Sequence, residues 1–489
     1  MRLYNTKTRS VETFVPLRDR EVRMYVCGLT PSAEAHLGHA RSFLFFDILR
    51  RYLVFRGYHL TYVQNVTDID DRSIAQAAAT GQSWRDVVET HHQSFKRSMQ
   101  RLHVREPDLE PRATNFVPQI VEMIAQLIER GHAYAAADAV YFRVKSFPRY
   151  GELSGRNVDE LMIGARIAPG EAKEDPLDFA LWKFVKPGEP SWESPWGAGR
   201  PGWHIECSAM THVLLGEPFD LHGGGYDLIF PHHENEIAQS ESLLAHPPMA
   251  NYWVHGGVLT FDGKKMSKSL GNYEPLYALL ERHDPQAIRL LFLQTGYRKP
   301  MNFSEESIGG AAEGLRRLFD AYDTLRTAPP DEQRSPHDEH AVFAAFEDAF
   351  FAALDDDMNT SGAIAELFKL ARELPAIVSA GSASAAAAFM HQALELLGIS
   401  PLERTPVERR DPVARLGADF LDRLHARTGD VVHVNGGGAQ AGIEAVIAAR
   451  NAARAAKDFA LADRLRVALA DLGVALEDSK GGTTWSVAG

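Results

Sequence analysis

The sequence is poor in cysteine: its 489 residues include only Cys27 and Cys207, 180 positions apart. So sparse a pair excludes a disulfide framework and fits a reducing compartment. The sequence also lacks any run approaching ~18 consecutive apolar residues, which excludes a membrane-crossing helix. Its polar start, Met1-Arg2-Leu3-Tyr4-Asn5-Thr6, lacks the apolar segment of a secretory signal, and a cytoplasmic location is expected. Positive charge is not in excess either. Lys+Arg number 52 against 65 Asp+Glu, a net charge of −13, so the chain does not coat nucleic acid through a global positive field, although a local basic patch is left open. No internal repeat with a period of roughly 20 to 50 residues is evident. What is present is an ordinary globular composition, 45% hydrophobic and 24% charged, with enough chain for about three domains.

The first 70 residues carry the clearest pattern. Val22–Val26 alternates as a strand does, and Cys27-Gly28 is expected to end it. Gly38–Arg56 turns helical, with Leu44, Ile48 and Tyr52 on one row, Phe45, Leu49 and Leu53 on the next, and Gly57 as a stop. A second strand, His59–Val66, completes a βαβ unit with parallel strands. Ligands of such sheets bind beyond the carboxyl ends of the strands, so Cys27 and Thr67-Asp68-Ile69-Asp70-Asp71 should border one crevice. Further on, Val117–Arg130 reads as a helix with Ile120, Met123, Ile124 and Leu127 inward. Ser146–Trp203 shifts to Gly, Pro and Trp, as an insertion would. Phe219–His222 resumes the strand pattern before Gly223-Gly224-Gly225, a helix is expected from His232, and a strand over Tyr252–Phe261. Helices dominate after 285. Thr327–Asp338 and Ser400–Pro412 look like linkers, and Thr360–Leu374 is amphipathic between them. Ile443–Leu472 is expected to be helical and Val474–Val487 strand-like. The fold class is thus α/β, a Rossmann-like parallel-sheet domain with an insertion, then a helical domain, then a small mixed α/β domain.

Two motifs carry chemistry. His36-Leu37-Gly38-His39 lies between the first strand and first helix, where backbone N–H groups and the helix dipole favour an anion, and Gly38 permits close approach of a nucleotide. By itself this turn reads equally well as a helix start whose histidines take solvent or backbone partners. Lys264 and Lys265-Met266-Ser267-Lys268-Ser269 place three lysines in five positions, suited to a triphosphate whose leaving pyrophosphate gains charge; alone, it reads as a solvated lysine run. In this order the pair resembles the signature of class I aminoacyl-tRNA synthetases. His232 and Glu236, four apart on an expected helix, project from one face, and with the thiols of Cys27 and Cys207 they compose a donor set softer than magnesium or calcium would favour and suited to zinc. The second histidine of a zincin H-E-x-x-H is missing, since Ile237 stands in its place. Without other signals, the two cysteines would read as small buried hydrophobes; as a metal pair they are expected at two strand ends around one crevice.

The segments Met24-Tyr25-Val26-Cys27-Gly28, Thr67-Asp68-Ile69-Asp70-Asp71, Trp203-His204-Ile205-Glu206-Cys207-Ser208 and Phe230-Pro231-His232-His233-Glu234-Asn235-Glu236 closely resemble those of the cysteinyl-tRNA synthetase family, and the likeness extends to Gly481-Gly482-Thr483-Thr484-Trp485. The resemblance implies ATP-dependent ligation of L-cysteine to tRNA(Cys) through a cysteinyl-adenylate. It implies one Zn2+ on Cys27, Cys207, His232 and Glu236, Mg2+ entering with ATP, and a monomer. Catalytic roles fall on His36, His39 and Lys268; nucleotide contacts on these with Gly38, Lys265 and Asp227; the amino-acid pocket on Thr30, Thr67, Trp203 and His222. For Asp227 a turn-forming role is the alternative. Domains are expected at 1–300, with the insertion near 110–203, at 301–400 for stem contacts and a helical bundle, and at 401–489 for the anticodon. Five basic residues against three acidic ones between 444 and 466 offer a place for phosphate contacts. The chain departs from the family at Pro31-Ser32-Ala33-Glu34, where a Tyr-Asp pair is usual, and at Tyr226, where serine is common. The cluster Asp68, Asp70, Asp71 is read as a loop with Asx turns and given no catalytic role. Rival readings are a ligase joining cysteine to an amino sugar in mycothiol synthesis and a non-catalytic zinc- or tRNA-binding descendant.

Overall fold

The computed structural model describes residues 1–157, 171–244, 248–261, 264–265, 274–329, 343–402, 416, 419–432, 438–479 and 482–487. It divides into two compact units, Met1–Leu402 and Glu403–Gly489, each with apolar cores of its own.

The first unit opens with an antiparallel hairpin, β1 (Arg2–Asn5) and β2 (Ser10–Thr13). β3 (Glu21–Leu29), α1 (Leu37–Phe55) and β4 (His59–Val66) then form the expected strand–helix–strand unit, with the two strands parallel. Leu44, Phe45, Ile48, Leu49, Tyr52 and Leu53 are all buried on α1, the two rows marked by the periodicity. β3 does not stop at Cys27-Gly28. It continues to Leu29 through a shift of register between Val26 and Leu29, which only a glycine permits: a Cβ on Gly28 would lie 1.6 Å from the carbonyl oxygen of Asn65.

Next come α2 (Asp71–Thr80), α3 (Trp84–Arg101) and α4 (Val117–Glu129), the last burying Ile120, Met123, Ile124 and Leu127. An antiparallel sheet of β5 (Ala133–Ala135), β6 (Ala139–Phe142), β7 (Phe179–Phe184) and β8 (Gly199–Pro201) follows. α5 (Trp203–Leu214), β9 (Phe219–Gly225), α6 (Glu234–Glu241) and β10 (Ala250–Gly256) return to the main sheet. That sheet is parallel throughout, in the order β10-β9-β3-β4. Three expectations change here. The glycine run belongs to β9, because Gly223 lies so close to α1 that a Cβ would stand 2.3 Å from the Phe46 ring. Cys207 is on α5, not at a strand end. The span Tyr252–Phe261 is two strands, with the chain leaving the main sheet at Gly257. β11 (Leu259–Phe261) pairs with β12 (Lys264–Lys265) and β13 (Met301–Phe303) in a separate sheet.

Beyond Pro285 the unit is mainly helical, with helices at Pro285–Leu293, Glu305–Thr327, Ala344–Asp355, Thr360–Arg372, Leu374–Ser379 and Ala383–Leu396. Ala363, Ile364, Leu367 and Leu370 face inward as the amphipathic pattern requires. A buried charge cluster ties α1 to this region. Asp47 accepts from Arg289 (2.5 Å) and Arg51 (2.8 Å), and Arg289 also donates to the carbonyls of Leu397 and Leu102.

The second unit has helices at Phe420–Thr428, Gly438–Ala455 and Phe459–Ala470, then a hairpin of β14 (Val474–Ser479) and β15 (Gly482–Val487). The single helix expected over Ile443–Leu472 is broken at Ala456–Asp458, where Lys457 takes a positive φ of 64° and Asp458 caps the next helix through the N–H of Leu461. Arg450 is buried, so the proposed basic stripe loses one member. Most of both linker segments lies outside the described residues.

Candidate metal centre and active site

In the order β10-β9-β3-β4 the chain reverses direction of growth between β3 and β9, and the crevice at such a switch point is where parallel sheets receive ligands. Both strands end there in chemistry-bearing residues: Cys27 on β3, and His222 with its three glycines on β9. Gly28 N–H donates to Asn65 Oδ1 (2.7 Å), and Asn65 Nδ2 in turn donates to the buried hydroxyl of Thr67 (3.2 Å).

The four expected ligands converge. Donor atoms of Cys27, Cys207, His232 and Glu236 all lie within 4.8 Å of one another, and all four residues are buried. The helix proper begins at Glu234, with His232 in a wide turn just before it, yet the two side chains still meet, His232 Nε2 to Glu236 Oε1 at 3.1 Å. The distances fit a tetrahedral ion. With Zn–S near 2.3 Å and Zn–N or Zn–O near 2.0 Å, tetrahedral edges are about 3.8 Å for S···S, about 3.5 Å for S···O and about 3.3 Å for N···O. The structure has Cys27 Sγ 3.8 Å from Cys207 Sγ and 3.4 Å from Glu236 Oε1. A second group, Cys27, His222, His233 and Glu236, satisfies the same distance criterion, but only the first contains both sulfurs, the softer set that zinc favours.

The cluster's own positive charge sits on His232, which, against its burial, Glu236 and Cys207 raise to about 10, so a metal would take the place of that proton. Burial raises the Cys27 thiol well above its ordinary range, and the neighbouring Cys207 adds to that. For Cys207, burial opposes ionisation, but the hydrogen bond from Cys27 and the charge on His232 prevail and bring it down to about 6. Glu236, against its own burial, is held near 2 by His222 and His232.

A shell of histidines supports these ligands, and sequence reasoning missed three of its members, His204, His233 and His255. His204 Nδ1 meets His232 Nδ1 at 2.9 Å, which turns Nε2 of His232 toward the cluster. His233 Nε2 lies 3.3 Å from Cys27 Sγ, its Nδ1 lies 2.8 Å from His255 Nε2, and His255 Nδ1 meets the Thr6 hydroxyl at 2.8 Å. His222 donates from Nε2 to Glu236 Oε2 (2.8 Å) and stacks on Trp253. Burial, followed by the neighbouring imidazoles, keeps His204 and His233 well below their ordinary pKa. Two of the missed imidazoles, His204 and His233, lie in Trp-His-Ile-Glu-Cys and Pro-His-His-Glu; proximity to the expected ligands was the available signal. Glu206 was also missed. It is fully buried, and burial with the charges of Cys207 and Asp68 holds its carboxyl well above the usual range.

The other expected residues are distributed round the same crevice. Trp203 is partly exposed and stacks on His232, with ring centroids 4.4 Å apart. With Thr30, Asp70, Asp71, Lys183 and His204 it lines a cavity of about 340 Å³. Asp227 sits in a short turn directly after β9. At the start of α1 the histidines of His36-Leu37-Gly38-His39 take backbone partners, as in the helix-start reading: His36 Nδ1 accepts from Gly38 N (3.1 Å), His39 Nδ1 accepts from His36 N (3.2 Å), and the rings stack at 3.8 Å. Accepting at Nδ1 places the proton of each neutral ring on Nε2, which is the donor polarity a phosphate oxygen requires. Lys268 lies outside the described residues, and Lys265 is described only as part of β12. Asp68 accepts from Thr114, Asp70 caps α2, and Asp71 pairs with Lys183 and Arg200, so each of the three carboxylates has a partner within the fold. The departure at Glu34 is compensated by α3, through His91 (3.0 Å) and Ser94 (2.6 Å).

A family model described as "tRNA synthetases class I (C) catalytic domain" matches residues 13–313, and models of a DALR domain and of a "Cysteinyl-tRNA ligase anticodon binding domain" match 349–402 and 437–485. Methionyl-tRNA synthetase of Mycobacterium tuberculosis, solved with methionyl-adenylate, shares the fold with a TM-score of 0.59 at 15% identity, covering 81% of this chain and 94% of that one. Sheet, crevice and matched model together define a class I aminoacyl-tRNA synthetase. A cysteine–tRNA ligase of Pseudomonas aeruginosa is 47% identical over 491 residues, the full length of both chains, and that of Dehalococcoides mccartyi is 44% identical over 488, covering 100% of this chain and 99% of the other. The chain belongs to the cysteine–tRNA ligase family.

Proposed function

We propose that this chain ligates L-cysteine to tRNA(Cys) using ATP, in two steps at the crevice between β3 and β9. A carboxylate oxygen of cysteine attacks the α-phosphorus of ATP and pyrophosphate leaves. The 2′-hydroxyl of the terminal adenosine then attacks the carbonyl carbon of the adenylate and AMP leaves. The observation that carries this reading is the buried four-donor cluster, with its sulfurs 3.8 Å apart, at the floor of the switch-point crevice.

A zinc ion held there, one per chain on Cys27, Cys207, His232 and Glu236, supplies a soft Lewis acid that prefers a thiolate to the hydroxyl of serine, a distinction that shape alone does not give. Thr30, Thr67, Trp203 and His222 line the amino-acid pocket. His36 and His39 donate from Nε2 to the phosphates, Gly38 gives the nucleotide access to the backbone, Asp227 accepts from the ribose, and Lys265 and Lys268 meet the pyrophosphate, with Mg2+ arriving on ATP. Residues 1–300 hold this chemistry, 301–400 meet the acceptor stem, and 401–489 read the anticodon. The enzyme acts as a cytoplasmic monomer. The anticodon-domain match at 437–485 speaks against the amino-sugar ligase.

Cysteine-dependent ATP–pyrophosphate exchange followed by charging of a tRNA pool tests the proposal. Both should be observed. Exchange without charging would move the assignment to an amino-sugar substrate, and absence of exchange would overturn it.

A further inference from the structure

Arg41 follows Gly38 by three residues on α1 and is 6% exposed. No carboxylate among the described residues pairs with it. Its two terminal nitrogens instead donate to five backbone carbonyls: Nη1 to Gly257 (3.3 Å) and Val258 (2.8 Å), Nη2 to Gly296 (3.3 Å), Tyr297 (3.4 Å) and Lys299 (2.5 Å). Burial lowers its pKa to about 10, so it stays charged at neutral pH.

The five carbonyls belong to two segments. Gly257-Val258 is where the chain leaves the main sheet for β11, and Gly296–Lys299 is the turn leading to β13. They are pressed together: Gly257 N donates to Tyr297 O at 2.6 Å, Met301 N donates to Val258 O at 3.0 Å, and a Cβ on Gly257 would lie 2.6 Å from two carbonyl oxygens. Carbonyl oxygens crowded round one point repel, and a planar guanidinium with its fork of donors is the side chain that neutralises them. The ring of Tyr297, stacked on Phe45 of α1 at 3.9 Å, fixes the same turn from one helical turn further along.

This arrangement has a functional consequence. β11 springs from the clamped junction and pairs back onto Lys264–Lys265. His36, Gly38 and His39 lie on the turn that precedes Arg41 on α1. Two motifs more than 200 residues apart in sequence have to address one triphosphate, and misplacement by about 1 Å costs on the order of 10²-fold in rate.

We propose that Arg41 is a positioning residue for the nucleotide half of the reaction: it locks the origin of the lysine-bearing hairpin to the histidine-bearing helix start and leaves the thiol half untouched. The inference rests on the ligase reading for its meaning but is tested apart from it. Zinc-loaded full-length Arg41→Lys and Arg41→Met are compared with the wild-type chain by calorimetric titration with ATP and, separately, with cysteine in the absence of ATP, alongside zinc content and thermal midpoint. Arg41→Lys, with three donors in place of a fork, should bind ATP about 10-fold more weakly, and Arg41→Met more weakly still. Cysteine affinity and zinc content should stay within about twofold. Where exchange is measurable, the loss should appear in kcat/KM for ATP and exceed that for cysteine. Unchanged ATP affinity in a folded Arg41→Lys chain would overturn the proposal. So would parallel losses of ATP affinity, cysteine affinity and zinc, the outcome of a purely structural arginine. The two dissociation constants decide the matter whether or not the wild-type chain shows exchange, which bears only on the ligase reading.

Discussion

Replacing Gly28 by alanine should dismantle the metal centre although Gly28 contributes no ligand. The added Cβ would lie 1.6 Å from the carbonyl oxygen and 2.7 Å from the carbonyl carbon of Asn65. An ordinary carbon–oxygen contact is about 3.3 Å, so β3 and β4 have to part by roughly 1.7 Å at that point. Backbone faces backbone, and no side-chain rotation relieves the clash. Overpacking typically costs about 1 to 3 kcal/mol, and here the hydrogen bond from Gly28 N to Asn65 is strained as well, which places the expected loss at about 3 kcal/mol or above. Cys27 precedes Gly28 directly, and metal–ligand distances tolerate only about 0.2 Å, so zinc should be lost or bound far more weakly. Gly81→Ala is the matched control: Gly81 has a φ of 70° and no atom within 4 Å of a Cβ, so it should cost about 1 to 2 kcal/mol from backbone conformation alone and leave zinc in place. Urea denaturation with and without a chelator, together with zinc analysis of the purified chains, reads both quantities. A Gly28→Ala chain with a full zinc complement and a stability loss no greater than that of the control would refute the reasoning.

Removing the outer support of a ligand should be milder: His204→Ala is expected to weaken zinc binding by about 10- to 100-fold while leaving the fold intact, as read by competition with a chelating dye. Asp47→Ala strands the buried guanidinium of Arg289 and should destabilise the first unit by about 3 to 5 kcal/mol in denaturant titrations, with Asp47→Asn losing less. Acid should weaken the metal-free protein in a definite window. Burial and the neighbouring His222 depress His255 to about 3, whereas the unfolded residue titrates near 6.5. Its stabilising contribution is therefore complete above about 6.5 and is lost as pH falls toward 3, amounting to about 2 kcal/mol at pH 5. Unfolding free energies of the wild-type and His255→Gln chains at pH 7.5 and 5 should show a shallower pH dependence in the variant.

Elements with a strong period were legible from the sequence, and those shaped by distant contacts were not. The strand His59–Val66 and the inward face of Thr360–Arg372 follow from local alternation alone. The end of β3 was misplaced because a glycine after a cysteine reads as a terminator, whereas Gly28 is there to let Asn65 approach. Gly223 misled in the same way, since Phe46 occupies the space a side chain would need, whereas Gly257 hid a break inside an apparent strand, its own space taken by the carbonyls of Arg298 and Lys299. The break at Lys457 left no apolar signature, since both flanking helices share one amphipathic face toward the same core. At the site, the four proposed ligands come together because resemblance supplied a grouping that spacing could not. The supporting imidazoles of His204, His233 and His255 escaped because their partners lie on other elements. The clustering of aromatic rings round His222 and Trp253 likewise depends on three strands meeting side by side.

One short loop connects the two ends of the site. β3 ends at Leu29 and α1 starts at Leu37, so the chain that carries Cys27 reaches His36 almost at once. Cys27 and the start of α1 are thereby held at a set span, like the jaws of a caliper. Homocysteine carries the same thiol as cysteine with one more methylene in its side chain. Held by its sulfur, it would carry its carboxylate further from the metal ligands than cysteine does. On the proposed reading, soft-metal chemistry at one jaw would turn away serine and the span to the other would turn away the longer thiol, two separate tests of one substrate.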